Sequence, residues 1–204
     1  SAGADKDKFD IDSATGVVKF KVEPDYESNK TIYYFTVIVS DTNHTVEQNI
    51  TININNINDG MPIFTSDSNV SVDENQKDAI DLNASDADGD TLTYSISAGA
   101  DKDKFDIDST TGIVKFKVEP DYESNKTTYT FIATVSDGAT DTNETIIIKI
   151  INLNDNAPIF ENNSTISVEE NQFDAIELNA SDADNTPIHL NDLNYSISGG
   201  IDKD

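Results

Sequence analysis

Asn152-Leu153-Asn154-Asp155-Asn156-Ala157-Pro158-Ile159-Phe160 decides how the rest of the chain is read. It ends a run of alternating apolar residues, Ile146 to Ile150. Pro158 has no N–H to give a ladder, so no strand continues through the stretch, and no glycine loosens it. It reads as a short, stiff connector between two folded units. Its side chains are dense in oxygen, which hard cations such as calcium take as ligands. The same stretch stands earlier as Asn56-Ile57-Asn58-Asp59-Gly60-Met61-Pro62-Ile63-Phe64.

Two connectors imply a repeat. Ser1 to Asp12 reads SAGADKDKFDID and returns unchanged at Ser97 to Asp108, an offset of 96. The offset holds through Phe64 and Phe160, and Val70–Gln76 returns as Ile166–Gln172. Five additional residues around Pro187 and His189 then break the phase, and Ser198–Asp204 matches the first seven residues again. The spacing predicts residues 1–64 as the C-terminal part of one repeat, 65–160 as a complete repeat and 161–204 as the N-terminal part of the next. The chain starts in mid-repeat, so it is expected to be a fragment. Its flanking units are expected to fray alone, their open strand edges completed by neighbouring repeats or by another chain, head to tail, in a filament.

Within a period every signal is strand or turn. Tyr33, Phe35, Val37 and Val39 alternate, as do Ile50, Ile52 and Ile54, and no window carries a helical period. Thr15-Gly16 and Thr111-Gly112 sit between strand-like runs and predict hairpin turns. About seven short strands per period predict an all-β fold of tandem immunoglobulin-like Greek-key β-sandwiches.

The 204 residues carry a net charge of −26, which repels nucleic acid and anionic membrane. There is no cysteine, hence no disulfide, and no apolar run long enough to span a membrane. Acidity alone signals a solvated surface, but here the acids recur in fixed loops. Glu74 stands in Asp73-Glu74-Asn75, with Glu170 as its copy. Asp25 and Glu27 stand in a Glu-Pro-Asp-Tyr-Glu loop, with Asp121 and Glu123 as copies. Asn58 and Asp59, then Asn154 and Asp155, lie in the connectors. Asp86-Ala87-Asp88 returns as Asp182-Ala183-Asp184, and Asp41 and Asp137 each follow the end of a strand. Loops of a sandwich gather at its two ends, so about six carboxylates can converge on one joint. Without a cation they repel. An EF-hand reading of Asp86–Asp90 fails because the glycine comes too early and no helix flanks it. A glycosidase carboxylate pair is disfavoured because the loops recur in every unit without an aromatic cleft. His44 and His189 are unmatched between repeats and read as surface residues. Sequons at Asn49, Asn69, Asn83 and Asn143 are what chance produces in so Asn- and Thr-rich a chain.

These elements resemble the cadherin repeat: x-Glu-x, Asp-x-Glu, an Asn-Asp connector closed by proline, Asp-x-Asp, and a lone late Asp. The resemblance implies about three calcium ions at each junction. It implies a first site of Asp25, Glu27, Asn58, Asp59, Asp86, Asp88 and Asp137 with the carbonyl of Gly60. It implies a second of Glu74, Asp121, Glu123, Asn154, Asp155, Asp182 and Asp184 with the carbonyl of Asn156. There are departures: Asn56 and Asn152 replace the connector's leading Asp, Gly60 replaces its closing Asn, and the absent Trp rules out carrying over Trp-mediated strand exchange. With the short period they suggest a microbial array.

The implied function is a calcium-rigidified spacer or adhesive rod of an extracellular surface adhesin, of cell-adhesion or biofilm type, and not an enzyme. Its partners would be other repeats of the same or a neighbouring chain, or a cell-surface or glycan ligand. The alternatives are a subunit of a self-assembling filament and a calcium-dependent carbohydrate-binding module.

Overall fold

The structure is a computed structural model, and it describes residues 3–184 and 193–199. The insertion around Pro187 and His189 and the segment from Gly200 to Asp204 lie outside the described residues. Four strands come first: β1 (Phe9–Ile11), β2 (Val18–Phe20), β3 (Ile32–Ser40) and β4 (Thr45–Asn53). Nine follow: β5 (Ile63–Phe64), β6 (Asn69–Asp73), β7 (Asp78–Asp81), β8 (Ala84–Ser85), β9 (Thr93–Ala98), β10 (Phe105–Ile107), β11 (Ile113–Phe116), β12 (Thr128–Ser136) and β13 (Asp141–Ile151). The last are β14 (Ile159–Phe160) and β15 (Ala180–Ser181). Single 3-10 turns at Lys6–Lys8, Lys102–Lys104 and Tyr122–Ser124 are the helical elements among the described residues.

The strands from β5 to β13 form a two-layer sandwich. One layer runs β10-β11-β7 and the other β6-β13-β12-β9. The short β5 pairs with β8, while β6 pairs in parallel with β13. Counting β5 with β6 and β7 with β8 as interrupted strands gives the expected seven. The first strand changes layer at Thr65-Ser66-Asp67-Ser68, which has no apolar side chain to bury. Its backbone is bonded at both ends of the crossing: Thr65 N–H donates to Asn83 O at 2.8 Å, and Ile147 N–H donates to Ser68 O at 2.8 Å.

Alternation fixes which face is core. Tyr129, Phe131, Ala133 and Val135 of β12 point inward beside Ile146, Ile148 and Ile150 of β13. Leu82, Val114, Phe116 and Phe105 meet them from the other layer. Phe105 lies between Phe116 and Phe131, with ring centroids 4.8 and 4.7 Å away. Each buried large side chain contributes about 1.5–3 kcal/mol. Gly99 is required here, because a Cβ on it would lie 2.4 Å from the Phe131 Cα and its φ is +110°. The turn expected at Thr111-Gly112 is a longer loop. Asp108 Oδ1 accepts the N–H groups of Thr110 and Thr111 at 2.9 and 3.0 Å, and Gly112 takes φ +74°.

Residues 3–64 repeat the aromatic cluster as Phe9, Phe20, Tyr33 and Phe35. They pair as two separate sheets, β1-β2 and β3-β4. Val39 is 71 % exposed, whereas its copy Val135 is at 0 %. The cause is that β6, β7 and β9 have no counterpart among residues 3–64. Beyond the second connector, β14 and β15 pair only with each other, and most described side chains there are exposed.

Candidate metal centre

Glu74 is the hub of the second junction. The turn after β6 places it 2 % exposed, yet it has no cation partner among the described residues. Its Oε2 accepts the Tyr122 N–H at 2.7 Å and its Oε1 accepts the Leu153 N–H at 2.8 Å. One buried carboxylate therefore ties the Pro-Asp-Tyr-Glu loop to the connector. That loop is folded by Asp121, whose side chain accepts the Glu123 N–H at 3.0 Å and caps the 3-10 turn. Asn125 ends the turn at φ +67°. Glu123 is thereby aimed at Glu74 and Asp155, and one oxygen from each of the three lies within 4.8 Å of the others.

From the next unit, Asp182 Oδ1 accepts the Asp184 N–H at 3.0 Å and fixes the loop. Asp184 Oδ2 accepts the Asn156 N–H at 2.7 Å, and Asn152 Nδ2 donates to the Asp184 carbonyl at 2.8 Å. Asn156 Nδ2 donates at 2.8 Å to both Asp155 Oδ1 and Asp184 Oδ1, and Asn75 Nδ2 donates to Asp155 Oδ2. Asn154 is exposed on the connector.

The first junction is built alike. Asp25 Oδ1 accepts the Glu27 N–H at 2.9 Å, and Glu27, Asp59 and Asp88 bring one oxygen each within 4.8 Å of the others. Asp88 Oδ2 accepts the N–H groups of Asp59 and Gly60 at 3.2 and 2.8 Å. Asn56 Nδ2 donates to the Asp88 carbonyl at 2.9 Å, and Asp86 Oδ1 accepts the Asp88 N–H at 2.9 Å. Asp137 reaches the connector through its carbonyl, which accepts from Asn58 Nδ2 at 3.2 Å. Its carboxylate accepts from Ala139 N, Thr140 N and Thr140 Oγ1 at 2.7, 2.6 and 2.8 Å.

The electrostatics are those of crowded anions. Burial, then the Glu74, Asp121 and Asp184 carboxylates, push the Glu123 carboxyl up, although its own backbone N–H opposes them. Glu27 is pulled down by its backbone N–H, but burial, Asp88 and Asp25 outweigh this and leave it raised. Asp184 is held low, first by the Asn156 side chain. No lysine pairs with these acids among the described residues, and the ion pairs that exist lie elsewhere, as at Lys115–Asp78 and Lys126–Asp101. Glu27 Oε1, Asp86 Oδ2, Asp88 Oδ1 and Glu123 Oε1 are buried without a hydrogen-bond donor. An all-oxygen donor set with unsatisfied buried carboxylate oxygens fits a hard divalent cation.

Over 93 % of its length the chain is 33 % identical to the Fat-like cadherin-related tumor suppressor homolog of Drosophila melanogaster. It is 31 % identical over 91 % of its length to human Protocadherin Fat 1. The fold superposes on the Protocadherin gammaB7 EC3-6 cis-dimer structure with a TM-score of 0.72, covering 91 % of this chain and 51 % of that one at 19 % identity. The chain is built of cadherin repeats. A Bacterial Ig domain model also matches residues 58–149, which spans the sandwich and reflects its immunoglobulin-like layers. Human CDH23 EC21-23 superposes with a TM-score of 0.66 over 89 % of this chain and 67 % of that one, at 23 % identity. The chain spans only 5 % and 4 % of the two curated relatives.

Three cadherin-repeat residues at the joints escape sequence reasoning. Asp90 brings an oxygen within 4.8 Å of Asp86 and Asp88, and burial, then Asp86, Asp88 and Asp137, raise its carboxyl. Its position two residues beyond Asp88 is the signal that could have found it. Asn56 and Asn152, which read as departures, hold the backbone of the Asp-x-Asp loop.

Proposed function

We propose that this chain is a calcium-stiffened spacer of an extracellular adhesion protein: cadherin repeats strung as 1–64, 65–160 and 161–204, with joints set by ions and no catalytic role. The observation that carries this reading is the second joint. Glu74 and Glu123 from one unit meet Asp155 of the connector, with Asp182 and Asp184 arriving from the next. Asp25, Glu27, Asn58, Asp59, Asp86 and Asp88 do the same at the first, and the carbonyls of Gly60 and Asn156 face the same joints in the family pattern. About three calcium ions at each joint would neutralise the gathered carboxylates. The cadherin names of the relatives support an extracellular, adhesive setting. No helix among the described residues is long and apolar enough to cross a membrane.

Extracellular calcium sites bind at roughly 0.1–1 mM. Calcium titrated into the chelator-treated chain should release or absorb heat in that range and raise the melting temperature, because ions bind the folded joints and not the open chain. Equal melting with calcium and with chelator would sink the reading.

A further inference from the structure

The two connectors differ at one position that alters their covalent chemistry: Asp59 is followed by Gly60, whereas its copy Asp155 is followed by Asn156. Gly60 does not take a positive φ, so the backbone does not demand glycine there. A Cβ on Gly60 would instead meet Asp88 Oδ2 at 2.8 Å. What glycine brings is an unshielded peptide nitrogen next to a side-chain carboxyl. Asp59 is exposed, and among the described residues its carboxylate accepts no hydrogen bond. The other two Asp-Gly steps are different. The Asp137 carboxylate is held by three donors, and Asp88 Oδ2 is held by the N–H groups of Asp59 and Gly60. One contact guards Asp59: the Gly60 N–H points at Asp88 Oδ2, 2.8 Å away, and not at its own neighbour's carboxyl.

We infer that Asp59-Gly60 is a site of spontaneous isoaspartate formation, which the second joint lacks. The Gly60 nitrogen bonds to the Asp59 side-chain carbon. The nitrogen's proton and the carboxyl hydroxyl leave as water, giving a five-membered cyclic imide. Water then opens the ring. Attack at the side-chain carbonyl restores aspartate, and attack at the main-chain carbonyl leaves the chain linked through the side chain. No electron is gained or lost, and no co-reactant beyond water is needed. The β-linked product carries one more backbone carbon, and its carboxylate sits one carbon closer to the chain. A joint so altered no longer presents Asp59 to Glu27 and Asp88. Protection by calcium rests on the function proposed above: an ion on the Asp59 carboxylate, with Asp88 held in place, keeps the nitrogen and carboxyl apart. Isomerisation in chelator does not rest on it.

The test ages the full chain at physiological temperature and pH, in chelator and in calcium, and maps it with the protease Asp-N, which does not cut before isoaspartate. Mass spectrometry of the uncut peptides, with isoaspartyl methyltransferase labelling, gives the amount at each site. In chelator, resistance should accumulate at Asp59 severalfold faster than at Asp155 of the same molecules. Gly60→Asn should bring Asp59 down to the Asp155 rate, and calcium should slow Asp59 in the parent chain. No isoaspartate at Asp59 in chelator, or equal rates at Asp59 and Asp155, would overturn the inference. Isomerisation of Asp59 at one rate in calcium and chelator would uphold the site and count against calcium at this joint.

Discussion

The Glu74 carboxylate accepts the Leu153 backbone N–H at 2.8 Å, across 79 positions of sequence. With its second oxygen on Tyr122 N, this side chain closes one end of the sandwich onto the connector before any ion is considered. Glu74→Ala therefore leaves two amides without an acceptor, each at a cost of about 1–3 kcal/mol. Urea midpoints should fall in calcium and in chelator alike. A loss confined to calcium would mean that Glu74 acts only as a ligand.

Glu123 should behave in the opposite way in the two conditions. Its carboxyl is raised in the folded chain, so it contributes stability that is present below the ordinary glutamate range and lost as pH rises through the folded value. At neutral pH without calcium it is a repulsive neighbour of Glu74. Glu123→Gln should raise the melting temperature in chelator and lower it in calcium. A fall in chelator would show that the crowding at this joint is not felt, and a rise in calcium would remove Glu123 from the calcium ligands.

Asp155→Ala removes the acceptor of the Asn75 and Asn156 amides while touching no core residue. In chelator the central sandwich should melt almost unchanged, and small-angle scattering in calcium should show a shorter, more bent particle. An unaltered maximum dimension would release Asp155 from any part in setting the joint.

Asp101 is a buried staple: Oδ2 accepts the Thr130 N–H at 2.9 Å and Oδ1 lies 2.9 Å from Lys126 Nζ. Burial pushes its carboxyl up, but the Lys126 and Thr130 bonds hold it below the ordinary aspartate value. Its contribution is present above that value and lost as pH falls through the lower folded one. Asp101→Asn should cost about 1 kcal/mol at neutral pH and flatten the acid limb of a urea-stability profile. An acid limb as steep as the parent's would assign it to other carboxylates.

Phe131→Ala removes a fully buried ring from one side of Phe105 and should cost about 3–5 kcal/mol, a large part of the 5–15 kcal/mol typical of a whole domain. Near-parental denaturation of this variant would contradict the packing described for Phe105 and Phe116.

The sandwich was legible because Tyr129, Phe131 and Val135, and Ile146, Ile148 and Ile150, alternate at strand period, and period alone tells which face is buried. The joints were legible because acids in loops recurred at one spacing. Contacts remote in sequence were not. Asp101 sits in an Asp-Lys-Asp-Lys run that looks like solvated charge, and only folding brings Thr130, 29 positions on, to its carboxylate. Glu74 could be read as an acid in a loop but not as a nearly inaccessible one, because its burial depends on Pro120, Tyr122 and Leu153 arriving from elsewhere. Likewise Val39 and Val135 occupy equivalent places in strands that keep the same Tyr-x-Phe-x-x-x-Val-Ser frame, yet one is bare and the other covered.

The parallel pairing of β6 with β13 has a mechanical consequence. The chain enters this sandwich from the first connector through the two-residue β5, paired with β8, and then β6, and it leaves to the second through β13, with Asn69 to Asp73 registered on Ile147 to Ile151. Tension on the two connectors pulls these neighbours along their length in opposite senses. Their slanted hydrogen bonds are then sheared together, whereas a hairpin pulled at its open end unzips one pair at a time. Once the short β5 is drawn off β8, resistance to pulling is concentrated in five residues of each strand, and the rate at which they slip sets how long the unit bears load.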